Sequence, residues 1–300
     1  MATRKRTSGA KPVPAATRKS TAAATPTSRS TAADRPVRKA PAKPQPQPKP
    51  KTATAAATAQ PATAATTGML DRSVAFDDGR TMPYVVYIPR DYSQRSDWPV
   101  VLFLHGAGER GSDGLLQTEV GIGTAIRRFP ARWPGIVVMP QAPLQGRWAG
   151  AVAEVAMRAL DATLAEFACD PSRVYLTGLS LGCEGAWYLA HEHRARFAAL
   201  LAVCGWVGDR GPLPSFVPAG EGTPYDRVAA RLRGLPTWIV HGEADVAVPV
   251  VESRRMAEAL EAVGGPVTYS ELPGVNHNAW DPAYQSEAIA AWLFAQRQHR

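Results

Sequence analysis

Ser180 sits in Gly178-Leu179-Ser180-Leu181-Gly182, directly after the apolar, β-branched and aromatic run Arg173–Thr177 and before Ala186, Trp187, Leu189 and Ala190 at helical spacing. Strand, sharp turn and helix in that order hold a hydroxyl clear of a sheet, and the two glycines avoid a side-chain collision across the bend. A serine hydroxyl is a weak nucleophile, so acyl-transfer chemistry needs a base within hydrogen-bond reach and a third group to orient the base. Of the six histidines, His277 in Gly274-Val-Asn-His277-Asn-Ala-Trp280 has both the chain position and the loop freedom for that base. His191 and His193, two apart on one helix, read as solvated and show no zinc spacing. His299 falls at the chain end, His241 reads as a strand end satisfying buried backbone, and His105 as a brace for its own loop. The orienting carboxylate has two candidates after one strand, Glu243 and Asp245 in His241–Pro249, with Asp281 and Asp209 as fallbacks that read more simply as cap or loop acids.

An acyl transfer also needs donors for the oxyanion. The Leu181 N–H, at the start of the helix after Ser180, offers one. The small-residue loop Leu104-His-Gly-Ala-Gly-Glu-Arg-Gly111 offers the other through Ala107 N–H, since the backbone itself must approach the reacting carbonyl. The loop lacks the G-x-x-x-x-G-K-[ST] pattern of a phosphate cradle. Trp280 and Trp148 are candidates to wall a substrate pocket, or equally to sit in the core.

Around these residues, apolar runs alternate with helical periodicity. Strands are expected at Ser73–Phe76, Tyr84–Ile88, Pro99–Leu104, Gly135–Met139, Arg173–Thr177, Ala198–Val203, Thr237–His241 and Val267–Leu272. The turn Asp77-Asp78-Gly79 joins the first two. Helices are expected at Ala151–Ala168, Leu181–His193, Ala229–Leu232, Val251–Val263 and Tyr284–Gln296. This alternation predicts an α/β fold, a mostly parallel sheet covered on both faces, with its site at the carboxyl ends of the strands. The Gly- and Pro-rich segment Trp206–Thr223 is too short for a helical lid, which predicts an open site.

Composition divides the chain in two. Residues 1–68 contain no aromatic residue, Leu or Ile, ten of the 27 prolines, and thirteen Lys/Arg against one acid, a formal charge of +12. Residues 69–300 carry 21 Lys/Arg and 25 acids, −4, so the whole-chain excess of +8 belongs to the first segment. Such a stretch has too little to bury to offset the entropy of ordering, and a disordered basic tail is expected, extended where proline alternates from Pro44 to Pro50. It is either a solvated spacer or a contact for a polyanion such as nucleic acid. Residues 69–300 are expected to form the catalytic domain. The three cysteines have no metal spacing and form no evident disulfide framework, which points to a reducing compartment, and a cytoplasmic location is expected. No run of about 20 apolar residues suggests a membrane span.

Leu102–Gly111, Gly178–Trp187, Val203-Cys-Gly205, His241–Pro249 and Gly274–Tyr284 together resemble the α/β-hydrolase serine esterases labelled phospholipase/carboxylesterase, dienelactone-hydrolase-like or "predicted peptidase". The resemblance covers most of Asp71–Ala295 and none of the tail, and its motifs specify the superfamily better than the substrate. It implies the α/β-hydrolase fold, Ser180 as nucleophile, His277 as base, Asp245 as acid, and hydrolysis of a small-molecule ester as the commonest activity, without metal or cofactor. A peptidase or thioesterase could use the same triad, and a polyanion-binding protein could keep the domain as a scaffold. Cys183 departs from the pattern, standing where relatives usually carry a glycine; there it is expected to crowd the site or to react with thiol reagents. Acyl length, alcohol group and oligomeric state are not specified.

Overall fold

The computed structural model describes residues 66–298; residues 1–65, which hold nearly all of the expected basic tail, and His299 lie outside them. The described residues build one eight-stranded sheet of order β1-β2-β4-β3-β5-β6-β7-β8. Its strands are β1 (Gly68–Ala75), β2 (Thr81–Ile88), β3 (Trp98–Leu104), β4 (Ile136–Pro140), β5 (Cys169–Leu179), β6 (Ala199–Val203), β7 (Thr237–Gly242) and β8 (Val267–Leu272). The hairpin β1–β2 is antiparallel and β2 pairs antiparallel with β4; from β4 to β8 all neighbours are parallel.

Strand β3 shows why both faces are covered. All seven of its residues are buried. Val100, Leu102 and Leu104 point into one core with Ala156, Leu160 and Leu189, while Val101 and Phe103 point into the other with Ile122, Tyr284 and Leu293. A strand buried on both sides has no polar face to show, hence its continuous apolar sequence. The first core is closed by α2 (Gly150–Glu166), α3 (Leu181–Glu192), α4 (Pro224–Leu232) and α5 (Val251–Ala262). The second is closed by α1 (Ile122–Arg128), α6 (Trp280–Gln285) and α7 (Glu287–Ala295).

Departures from the sequence-based elements have local causes. The single helix expected over Tyr284–Gln296 is two, because Ser286 is extended and its hydroxyl accepts from Ile289 N–H to cap α7. Helix α4 starts five residues earlier than expected, at Pro224, behind a capping box in which Thr223 and Asp226 satisfy each other's backbone N–H groups. Helix α1 is short and follows Gly121 at φ +55, where an added Cβ would meet Leu179 and Phe103. Trp206–Thr223 carries no helix, as expected. No helix among the described residues is long and apolar enough to cross a membrane.

Candidate active site

The parallel strands deliver the predicted residues to one end of the sheet. Ser180 follows β5 directly, at φ 52, ψ −120, a left-handed conformation that costs a non-glycine residue about 1–3 kcal/mol and marks a turn held by its surroundings. Both motif glycines are sterically required. A Cβ on Gly178 would stand 2.2 Å from Gly182 O, and one on Gly182 would stand 2.0 Å from Leu104 O. The Ser180 N–H donates to Val203 O on the neighbouring strand (3.0 Å), which fixes the turn against β6.

His277 and Asp245 complete a hydrogen-bonded chain. His277 Nδ1 lies 2.6 Å from Asp245 Oδ2 and donates to it; Nε2, left without a proton, accepts from Ser180 Oγ at 2.9 Å. The Asp245 side chain is fully buried, whereas the imidazole of His277 is 23% exposed and open to the surface. Asp245 Oδ1 accepts from the N–H groups of Ala247 and Val248, both at 2.8 Å, so the carboxylate is held at both oxygens. The rival acid, Glu243, does not reach His277. It accepts from Gly274 N–H (2.9 Å) and so ties the loop after β7 to the loop after β8. Asn276 Oδ1 bonds the N–H groups of both His277 and Val246, joining the same two loops beside the imidazole. Asp281 pairs with Asn278 at the start of α6, and Asp209 accepts from Ser215 N–H; both are local acids, as read from the sequence.

His241 is the member of this network that sequence reasoning missed. It does more than satisfy backbone: its Nε2 faces both Asp245 Oδ2 (3.1 Å) and Val248 O (3.0 Å), while Nδ1 accepts from Ser253 Oγ (2.6 Å). Burial holds its pKa below the ordinary histidine range despite these partners. The neutral ring therefore shares its one N–H between Val248 O and Asp245 Oδ2. The signal was the i, i+4 spacing to Asp245 at the end of an apolar strand. Cys204, at φ 42, completes the floor, and its thiol, Asp245 and His277 place ligand-type atoms within 4.8 Å of one another. The donor set does not suit a metal. Burial pushes the thiol well above its ordinary range, His277 Nδ1 carries the proton it gives to Asp245, and Asp245 already accepts four hydrogen bonds.

The loop after β3 approaches Ser180 as expected. Gly106 passes so close that a Cβ on it would stand 3.6 Å from Ser180 Cβ, and Ala107 begins the turn Ala107–Glu109 immediately after. His105 braces this loop. Its Nδ1 donates to Gly106 O (2.7 Å) and its Nε2 accepts from Ala142 N–H (3.0 Å), tying the loop to the end of β4. Leu181 opens α3, where its N–H has no acceptor within the helix.

Two expectations need correction. Trp148 is wholly buried, stacks edge-on against His105 at 5.0 Å and donates its indole N–H to His105 O (3.0 Å), so it supports the loop from behind rather than walling a pocket. Cys183 is also buried, packed against Gly205, and burial pushes its thiol pKa up; it neither opens onto the site nor presents a reactive thiolate. Trp280, by contrast, is half-buried with its ring edge-on to His277 at 5.3 Å, beside the Ser180–His277 pair. One turn into α3, Glu184 is fully buried and receives Arg147 Nε at 2.9 Å, an ion pair the sequence did not announce.

No family model matches the chain. An "Uncharacterized secreted protein" of Arthroderma benhamiae is 25% identical over 201 residues, 60% of this chain and 21% of that protein. Among solved structures, a thermostable esterase superposes with a TM-score of 0.65 at 29% identity, covering 77% of this chain and 63% of that one. A ferulic acid esterase superposes with a TM-score of 0.59 at 16% identity, covering 75% and 98%. The chain thus spans less than two thirds of the first two proteins. It carries the α/β-hydrolase fold, and its structural neighbours are esterases of the α/β-hydrolase type.

Proposed function

We propose that this protein is a serine hydrolase that cleaves carboxylic esters through an acyl-enzyme. The observation that carries the reading is the hydrogen-bonded chain Ser180 Oγ–His277 Nε2–Asp245 Oδ2, at 2.9 and 2.6 Å in succession. His277 Nε2 takes the Ser180 proton as Oγ attacks the ester carbonyl, and the imidazolium is stabilised by Asp245. The oxyanion is received by the N–H groups of Leu181 and Ala107, a contact worth about 3–4 kcal/mol per donor in the transition state. His277 then gives its proton to the leaving alcohol. A water, deprotonated by the same nitrogen, attacks the acyl-Ser180 ester and releases the acid and free Oγ–H. Substrate size is suggested by exposed apolar side chains on the loops after β3, β4 and β7, Leu115, Leu144 and Val246 among them. These favour a short or medium apolar acyl or aryl group, with Trp280 along its path.

The test is hydrolysis of p-nitrophenyl butyrate by wild type and Ser180→Ala. Losing the nucleophile is expected to lower kcat by about a millionfold, to background. Equal rates in the two proteins refute the proposal.

A further inference from the structure

A second carboxyl borders Ser180, and the triad does not use it. Glu109 ends the turn Ala107–Glu109, and its side chain folds back over the loop. A Cβ on Gly106 would stand 3.1 Å from Glu109 Oε2 and 3.6 Å from Ser180 Cβ, so carboxyl and nucleophile flank the same peptide. No charged neighbour compensates it. Arg110, next in the chain, turns away, with Nε on Ala107 O (2.9 Å) and Nη1 towards Gly146 O (3.4 Å). Burial raises the Glu109 pKa above the usual carboxylate range, and only the Gly106 and Glu109 N–H groups pull it back.

The carboxyl is not alone in shaping the loop. That task is divided among His105 Nδ1 on Gly106 O, Arg110 Nε on Ala107 O and Gln141 Nε2 on Glu109 O (3.0 Å). Left ionised with no cation beside it, it opposes the negative charge that would form on the substrate oxygen beside the same loop. A hydrogen-bond donor on the substrate removes that conflict, because a charge-assisted bond to the carboxylate both neutralises it and orients the ester.

We propose that Glu109 is a specificity-determining residue that receives a hydroxyl or protonated amine carried by the substrate next to the scissile ester. The inference rests on the esterase reading of Ser180. It deepens that reading from esters in general to esters with a donor group adjacent to the cleaved bond, and it disfavours substrates with an anion at that place.

The experiment compares kcat/KM for five esters in wild type, Glu109→Gln and Glu109→Ala. Ethyl butyrate is the reference. 2-Hydroxyethyl butyrate and 2-(dimethylamino)ethyl butyrate place a donor on the alcohol, ethyl 3-hydroxybutyrate places one on the acyl group, and monoethyl succinate carries an anion. Wild type is expected to prefer at least one donor ester over ethyl butyrate by about tenfold, the scale of one hydrogen bond to a charged group. In Glu109→Ala that preference falls to less than about twofold, as the donor ester loses and ethyl butyrate gains, and monoethyl succinate gains most. Glu109→Gln, which keeps an acceptor oxygen without the charge, retains part of the hydroxyl preference and loses the amine preference. Unchanged ratios in an active enzyme, or one common factor lost on all five esters, overturn the inference while leaving Ser180 in place. A wild-type protein that cleaves none of the five overturns the esterase reading and the inference together.

Discussion

Acidification should loosen the loop after β3 through His105, and the size of the effect follows from its two hydrogen bonds. Nδ1–H donates to Gly106 O and Nε2 accepts from Ala142 N–H, so a second ring proton on this fully buried side chain would point Nε2–H at another donor. Burial, with Arg110 adding to it, lowers the His105 pKa to about 4, against an unfolded value of 6.5. As pH falls, the unfolded chain therefore takes up this proton first. The stabilisation is complete above pH 6.5, is lost progressively from 6.5 down to about 4, and changes no further below that. The full span corresponds to about 3 kcal/mol, of which about 2 kcal/mol is gone by pH 5. His105→Gln keeps an acceptor near the Ala142 N–H and removes the titration. It should be less stable than wild type at pH 7.5 by about 1–3 kcal/mol, having left Gly106 O without its donor. Urea unfolding of both proteins from pH 7.5 to 5 is the assay. The deficit of the variant should shrink by about 2 kcal/mol over that range, since His241 and the other titrating groups contribute to both proteins alike. A deficit constant with pH would refute the argument that a neutral His105 is what the loop requires.

Other parts of the structure yield shorter tests. Arg147→Met leaves the Glu184 carboxylate buried without its cation and should cost about 3–5 kcal/mol in urea unfolding. The double variant Arg147→Met/Glu184→Met should recover most of that, and a double variant as unstable as the single would refute the pairing argument. Cys183 and Cys204 are buried with raised thiol pKa values and Cys169 is pushed up to about 12. Ellman's reagent at pH 8 should therefore find less than one reactive thiol in minutes on the folded protein and all three after denaturation. Rapid labelling of Cys183 in the folded protein would contradict its placement.

What the sequence disclosed and what it hid divide along a physical line. The turn around Ser180 was legible because its glycines answer a steric demand within five residues, and the approaches of 2.2 and 2.0 Å at Gly178 and Gly182 are that demand. Strand β3 was legible because burial on both faces leaves an unbroken apolar run. Trp148 was not, because a tryptophan reads the same whether it walls a cleft or packs behind one. Its burial is decided by Gly185, 37 positions on, where a Cβ would stand 2.1 Å from Trp148 Cβ. The start of α4 was written in Thr223-Pro-Tyr-Asp226, yet apolar periodicity alone begins the helix at Ala229 and passes over the cap.

The network behind His277 shows why a triad is easier to read from sequence than the groups that hold it. Ser180, Asp245 and His277 each follow a strand, so topology alone brings their loops together at one end of the sheet. His241 and Ser253 reach Asp245 from inside the protein, and which atom each offers depends on tautomer and rotamer, which no spacing records. Yet they bear directly on the carboxylate. Asp245 Oδ2 accepts from two imidazoles at once, His277 at 2.6 Å and His241 at 3.1 Å, and the shorter bond goes to the ring that also meets Ser180 Oγ. The buried ring stays neutral, because burial opposes its protonation and Ser253 Oγ–H occupies its other nitrogen. One carboxylate can then serve both rings. The inner histidine fixes where Asp245 points, and in the proposed reaction the charge that forms on the outer one is the cation Asp245 meets.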